Sequence, residues 1–411
     1  MAPSSYTDWF LLAIAAFGIG ITKSGFSGVS MVHVYLFASV FGAKDSTGIV
    51  LPMLIAGDIF DLANPSAQAQ RLYYGFLGQA LARLPDLDIV VIAGNHDSPA
   101  RIDAPRSLLQ ALRVQVVGQY HGDESQRVSV PIRRSDGSIG AWVLAVPFLR
   151  PADLTPIDTQ TYAEGIARVY REVVNAALAQ RQPDQALIAM GHLHVRGGKL
   201  SEHSERRLVI GGEEAVPNSI FPSELAYVAL GHLHLAQEAG APWICYSGSP
   251  LPMSFSEIDY PHQIIEIEIE GPRLVALNST LVPRPALIRR IPERHLPLSE
   301  VLELLAALDF PPSAPGLQPL IEVQIERAWG DPDPMPLVRA ALEGKGVRLA
   351  AVKAIRPAAP QGGAAPTLLS IDQLMPLPLF ERLVRERTCA APDETLLQAF
   401  GELFATAHAQ D

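Results

Sequence analysis

The sequence predicts a layered α/β sandwich, followed by a small α+β unit and a helical C-terminal tail. Three observations predict it. Short β-branched runs end in glycine-containing polar turns, segments of helical period lie between them, and the texture changes near Pro283. Short apolar runs flanked by glycine read as buried strands. The runs are Leu54-Ile55-Ala56 into Gly57-Asp58, Asp88–Ala93 into Gly94-Asn95-His96-Asp97, Ala186–Met190 into Gly191-His192, and Leu225–Leu230 into Gly231-His232. Each sets polar side chains just past the C-terminal end of a strand, where ligands bind in α/β sheets.

Between these runs, Ala67–Leu84 carries Leu72, Phe76, Leu77, Ala80, Leu81 and Leu84 at helical spacing, and Thr161–Leu178 is similar. Trp142–Val146, Trp243–Tyr246 and Ile264–Ile269 read as further strands, the last alternating Ile with Glu so that one face is buried and one wet. The second unit begins near Pro283. It holds a helix over Leu298–Leu308, a strand over Leu320–Ile325, a helix over Pro336–Leu342 and a strand over Val347–Ile355. Pro357–Pro366 has linker composition, and Ser370–His408 is mostly helical. The expected division is an atypical apolar segment over 1–57, a main domain over 58–282, the small unit over 283–356, and a linker with its tail over 357–411.

With 48% hydrophobic residues the 411-residue chain can bury a sizeable core, which excludes a wholly disordered protein. Its formal net charge is −11, so attraction to nucleic acid would have to come from local patches, bound metal ions or a partner. Cys245 and Cys389 form no zinc pattern and no disulfide framework, which fits a reducing cytoplasm. Trp9–Thr22, Val29–Ala43 and Gly48–Ala56 are apolar, but none reaches the roughly 18 uninterrupted apolar residues of a membrane-spanning helix. No basic residue precedes the first run, so it does not read as a signal peptide.

The chemistry is concentrated in Gly57-Asp58, Gly94-Asn95-His96-Asp97, Gly191-His192-Leu193-His194 and Gly231-His232-Leu233-His234. A carboxylate, an amide oxygen and several imidazoles on neighbouring strand ends suit Mn²⁺, Fe²⁺ or Zn²⁺. The glycine before each candidate ligand lets the backbone turn and leaves room for metal and phosphate. Alternation along an extended segment would put His232 and His234 on one side. Two metals close together suit phosphodiester hydrolysis, and an imidazole beside them can protonate the leaving oxygen.

These motifs, in this order, resemble those of the calcineurin-like metallophosphoesterases. Within that family AGDIFDLANPSAQAQRLYY (56–74), VIAGNHDSPARIDAP (91–105), AMGHLH (189–194), YVALGHLH (227–234) and YSGSPLPMSF (246–255) are similar to the SbcD-type nuclease subunits. The resemblance implies an α-β-β-α sandwich with a capping domain, and two divalent ions, Mn²⁺ by expectation. It implies that Asp58 bridges the ions, that Asn95, His192 and His232 complete the second site, and that His234 belongs to the first. His96 would be the catalytic histidine. Asp61, Asp97 and His194 would orient their neighbours. The implied partners are DNA and an SbcC-type ATPase engaged through the tail, with two copies of the chain in a heterotetramer and no membrane association.

One family feature is missing. The family opens with an Asp-x-His motif that gives two ligands to the first metal. Asp8-Trp9-Phe10 has the aspartate but a phenylalanine in place of the histidine, and a phenyl ring has no ligand atom. Residues 8–57 instead resemble a TauE/SafE-type permease in DWFLLAIAAFGIGITKSGFSG and DSTGIVLPMLIAGDI. The two resemblances meet at LIAGDIF, which implies a joint there, weak binding of the first metal and poor nuclease activity.

Overall fold

The computed structural model describes residues 52–122, 125–134, 136–154, 161–199, 215–284, 286–310, 312–313, 316–327, 333–355, 376–388 and 391–408. They fall into two units, one ending at Ile355 and one starting at Arg356. The apolar runs before Leu51, the Asp8-Trp9-Phe10 segment, the linker over 357–366 and Cys389 lie outside the described residues.

In the first unit, β1 (Met53–Ala56), β2 (Ile89–Ile92) and β3 (Val114–Val117) form a parallel sheet in that order. Parallel neighbours need crossovers. These are supplied by α1 (Ala67–Arg83) and by the short helices α2 (Pro99–Asp103) and α3 (Arg106–Ala111). Ser66 caps α1, its hydroxyl accepting from Ala69 N–H at 3.2 Å. The strand period of two decides which side chain goes where. Ile89 and Val91 join Tyr73, Phe76 and Leu77 under the helices, while Val90 and Ile92 face the opposite way, into the main core.

That core is closed by a six-stranded sheet in the order β4 (Ser129–Arg133), β5 (Ile139–Ala145), β6 (Ala186–His192), β7 (Tyr227–Gly231), β9 (Ile244–Tyr246) and β8 (Gln237–Glu238). β5, β6, β7 and β9 run parallel, and β4 and β8 are antiparallel edges. Helix α4 (Tyr162–Leu178) covers the outer face with Ile166, Val169, Tyr170, Val173 and Val174. Its start is fixed by reciprocal bonds between Thr161 and Glu164. The layers are therefore helix, sheet, sheet, helix. A hairpin of β10 (Gln263–Glu270) and β11 (Arg273–Leu281) lays Ile265, Ile267 and Ile269 against the same core.

The small unit is a second parallel sheet of β12 (Ile288–Pro297), β13 (Leu320–Glu326) and β14 (Arg348–Ile355). It is joined by α5 (Leu298–Ala307) and α6 (Pro334–Leu342) around its own core of Val301, Leu305, Ile321, Val323, Ile325 and Val338. Glu322 is buried on the central strand, paired with Arg290 Nε at 2.9 Å and Lys353 Nζ at 3.0 Å. Arg290 Nη2 also donates to the Phe255 carbonyl at 3.0 Å, tying this sheet to a turn of the main domain. In the second unit, α7 (Pro376–Thr388) and α8 (Glu394–His408) stack Phe380 on Phe400 with ring centroids 4.1 Å apart. No helix among the described residues is long and apolar enough to cross a membrane.

Candidate metal centre

The C-terminal ends of β1, β2, β6 and β7 converge, and each delivers one element of the candidate site. Asp58, just past β1, has φ 52°, and His232, just past β7, has φ 98°. Such conformations are uncommon for side chains with a Cβ and cluster at functional sites. Asp58, His192 and His232 each offer a ligand atom, all within 4.8 Å of one another. Asn95 Oδ1 lies 2.9 Å from His192 Nε2, and Asp58 Oδ2 lies 3.2 Å from it.

The His192 ring is oriented from behind. Its Nδ1–H donates to the Ala56 carbonyl at 2.7 Å, and the edge of Phe148 packs against it, centroids 6.3 Å apart. With that nitrogen carrying the proton, neutral His192 aims its Nε2 lone pair at two oxygens that are themselves acceptors. Three acceptors facing one point repel each other unless a proton or a metal cation stands among them. The mixed nitrogen and oxygen set fits a divalent transition metal.

The electrostatics agree. Burial alone would push the Asp58 carboxyl up, but the His192 imidazole and the nearby His96 hold it well below the usual carboxylate range. Burial, reinforced by His192, pushes His232 down to about 3, so it is a neutral ligand candidate at physiological pH. For His192, burial acts downward but is outweighed by the charge and hydrogen bond of Asp58, and the net direction is up. A proton and a metal would therefore compete for Nε2.

His96 stands at the rim. Its backbone N–H donates to Asp58 Oδ1 at 3.0 Å, and its Nδ1 is 2.8 Å from the Asp61 carbonyl oxygen. Asp61 thus orients His96 through its main chain; its carboxylate lies 4.0 Å away. Asp97 is buried and ties two motif loops together. Its oxygens accept from Ile59 N–H at 3.0 Å, Phe60 N–H at 2.9 Å and Gly94 N–H at 2.8 Å. Burial and the neighbouring Asp58 carboxylate push it up to about 6. Asp97→Ala would leave three buried donors without their acceptor. The expected result is a loss of roughly 2–4 kcal/mol, read from urea unfolding.

Two expectations need correction. The segment after β7 is not extended, because His232 takes a left-handed φ; the alternation that would set His232 and His234 side by side is broken at its first residue. His232 joins Asp58 and His192, whereas His234 Nδ1 lies 2.8 Å from Glu257 Oε1. Nor does the backbone turn at Gly191, which is inside β6, so that His192 is the last residue of the strand. A Cβ at Gly191 would strike the Tyr170 hydroxyl, and glycine is needed there for packing. His194 is turned toward the Gly198 carbonyl at 3.2 Å and lies outside the cluster.

Sequence reasoning passed over Glu257, His262 and Arg150. Arg150 Nη2 donates to the Asp97 carbonyl at 3.1 Å, and its guanidinium lies over the Phe148 ring. Glu257 and His262 are buried polar residues in the stretch after YSGSPLPMSF. Nothing in the sequence distinguishes Glu257 from Asp259 two positions on, or marks His262 as more than a loop histidine.

The fold and the site define a calcineurin-like phosphoesterase, and the model of that family matches residues 49–236. A second model, for the SbcD C-terminal region and described as the type 5 capsule protein repressor C-terminal domain, matches residues 284–388. The SbcD subunit of the SbcCD nuclease of Rhodobacter capsulatus is 38% identical over 329 residues, 76% of this chain and 80% of the relative. The SbcD subunits of Bacillus subtilis and Escherichia coli K12 are 35% and 32% identical over 53% and 56% of this chain. Those matches span 55% and 58% of the two relatives, just over half their length. The chain belongs to the SbcD family of nuclease subunits.

Proposed function

We propose that the chain is the metal-dependent nuclease subunit of an SbcCD-type complex, a double-strand exonuclease and a single-strand and hairpin endonuclease in DNA recombination, repair and replication. The observation that carries this reading is the convergence of Asp58, Asn95, His192 and His232 acceptors on one point, with His96 at its rim. Asp58, Asn95, His192 and His232 would hold one ion, and Asp58 and His234 would contribute to a second, Mn²⁺ being the expected metal. When bound, the ions supply a Lewis acid for the phosphoryl oxygens and a nucleophilic water. The chain's own work is then to orient and to move a proton. The Asp61 carbonyl holds His96 Nδ1–H, so that in the imidazolium form the second proton, on Nε2, would pass to the departing oxygen and leave the ring neutral. Asp97 keeps the two loops in register, and His194 braces the loop after β6.

The relatives' name supports an SbcC-type ATPase and DNA as partners. We assign residues 58–282 to the nuclease domain, 283–356 to the capping domain and 357–411 to the linker and partner-binding tail. Two copies would assemble with two ATPase subunits in the cytoplasm. A second reading, a non-catalytic scaffold for the ATPase, is favoured by one observation: phenylalanine stands where the family's first histidine ligand is expected. Another metallophosphoesterase activity, such as a phosphatase, is disfavoured by the matched C-terminal region.

Calorimetric titration with manganese is expected to show one tight and one weak site per chain. Manganese-dependent cleavage of a DNA hairpin should be slow, and faster once an Asp-x-His segment is restored. Two tight sites would refute the impaired centre. No cleavage after restoration, with ATPase binding intact, would favour the scaffold.

A further inference from the structure

We infer that Glu257 is a positioning residue for the metal centre, fixing which nitrogen of His234 carries the proton and so which one is offered to the metal. This deepens the proposed function, since it rests on His234 being a ligand.

Glu257 has no exposed surface, yet it carries a carboxylate. A buried carboxylate persists only when its oxygens are matched by donors. One oxygen, Oε1, lies 2.8 Å from His234 Nδ1, and the other, Oε2, accepts from Met253 N–H at 2.8 Å and faces the Ser249 hydroxyl at 3.4 Å. A carboxylate can only accept, so Nδ1 must carry a proton, and in the neutral ring the Nε2 lone pair then points away from Glu257. A histidine held by a carboxylate in this way is the arrangement that presents an imidazole to a metal in one tautomer and one orientation.

The scaffold behind the carboxylate is built rather than incidental. Glu257 sits in a 3₁₀ turn, Phe255–Glu257, capped by Ser254. The Ser249 N–H donates to the His234 carbonyl at 2.9 Å, so the main chain of the ligand candidate and its side chain are gripped by the same loop. Buried His262 braces that loop from below, its two ring nitrogens 2.8 Å from the Ser249 carbonyl and 3.0 Å from the Glu257 carbonyl. A residue needed only to close a turn would not require a carboxylate oxygen on the His234 side.

Glu257→Gln tests this, because glutamine keeps the shape but has a single side-chain oxygen. If that oxygen keeps the Met253 N–H, the amide NH₂ faces His234 Nδ1. Nδ1 must then accept, and the proton moves to Nε2. The experiment is ¹⁵N-histidine NMR of the metal-free full chain, with His234 assigned by its loss in His234→Asn. The expected result is a proton on Nδ1 in the wild type and on Nε2 in Glu257→Gln. Zinc, used as a diamagnetic probe, should shift the wild-type Nε2 signal, and the variant should need about 10–100-fold more. Glu257→Asp, which restores an acceptor, should recover the Nδ1 proton.

A wild-type proton on Nε2 overturns the inference without any variant, so a failure of Glu257→Gln to fold does not shield it. Zinc shifting His234 equally in wild type and Glu257→Gln, with Nδ1 protonated in both, also overturns it and leaves the ligand reading of His234 standing. A wild-type His234 that zinc never shifts overturns both.

Discussion

Replacing Gly231 by alanine is expected to lower the unfolding free energy by about 3 kcal/mol or more and to remove tight metal binding with it. A Cβ at this position would stand inside the van der Waals contact of the Ala56 carbonyl oxygen. It would also lie 2.8 Å from the Ala56 carbonyl carbon and 2.9 Å from His192 Nδ1. No rotamer relieves this, because the obstructing atoms are main chain on one side and a buried, hydrogen-bonded ring on the other. The Ala56 carbonyl is also the acceptor that orients His192. If β1 shifts to make room, the ring loses its partner and the convergence of Asp58, Asn95 and His192 is lost. If β1 does not shift, the clash remains. Urea unfolding and manganese calorimetry on the same preparation would measure both effects. The control is Gly78→Ala on the exposed side of α1, where a Cβ meets nothing within 4 Å. There the expected change is a gain of about 0.5–1 kcal/mol. A Gly231→Ala protein with unchanged midpoint and affinity would mean that β1 and β7 do not approach as closely as described.

His96→Asn is expected to act in the opposite manner, with turnover down by about 10²–10⁴-fold and the unfolding midpoint and manganese affinity unchanged. The backbone N–H to Asp58 survives the substitution, so the Asp58 carboxylate keeps that donor. The lost group is the imidazole itself, held by the Asp61 carbonyl on one nitrogen and standing outside the Asp58, His192 and His232 cluster. Single-turnover cleavage of a DNA hairpin at saturating manganese separates proton transfer from product release. A substrate with a better leaving group should lose less rate in the variant, because it needs less help from an acid. A loss below tenfold, or an equal loss on both substrates, would place the proton donor elsewhere.

The layered fold and the four strand-end motifs were legible because each depends on local pattern. Buried runs such as Ile89–Ile92 are apolar on both faces, and a turn rich in glycine and polar groups ends each of them. Strand β12 was not legible. Its text, IRRIPERHLP, has four charged residues and two prolines among ten, and it is a strand because β13 pairs with it along one side. Strands β3 and β4 were hidden because Gln115 interrupts the short apolar run of one and Pro131 that of the other. At the site, the family resemblance already grouped His192 and His232 with Asp58 and Asn95 and set His234 apart, but the residue pattern did not give the backbone that makes this grouping. The grouping turns on the left-handed backbone at His232, which no residue-type pattern announces. Glu257 was invisible for the same kind of reason, since its meaning comes from a partner 23 positions away.

The bond from Arg290 to the Phe255 carbonyl limits how the small sheet of β12, β13 and β14 can move against the main domain. Arg290 is clamped on its other side by Glu322, a carboxylate that Lys353 also holds. The sheet is therefore not a hinged flap with slack beneath it. Any rocking of its central strand must either break a charge-assisted bond, at a cost of about 1.5–3 kcal/mol, or drag Phe255 along. Phe255 opens the three-residue turn that closes on Glu257, so a tug from a load on the sheet arrives two residues from the carboxylate. Strain applied far from the metal would be felt there as a change of aim.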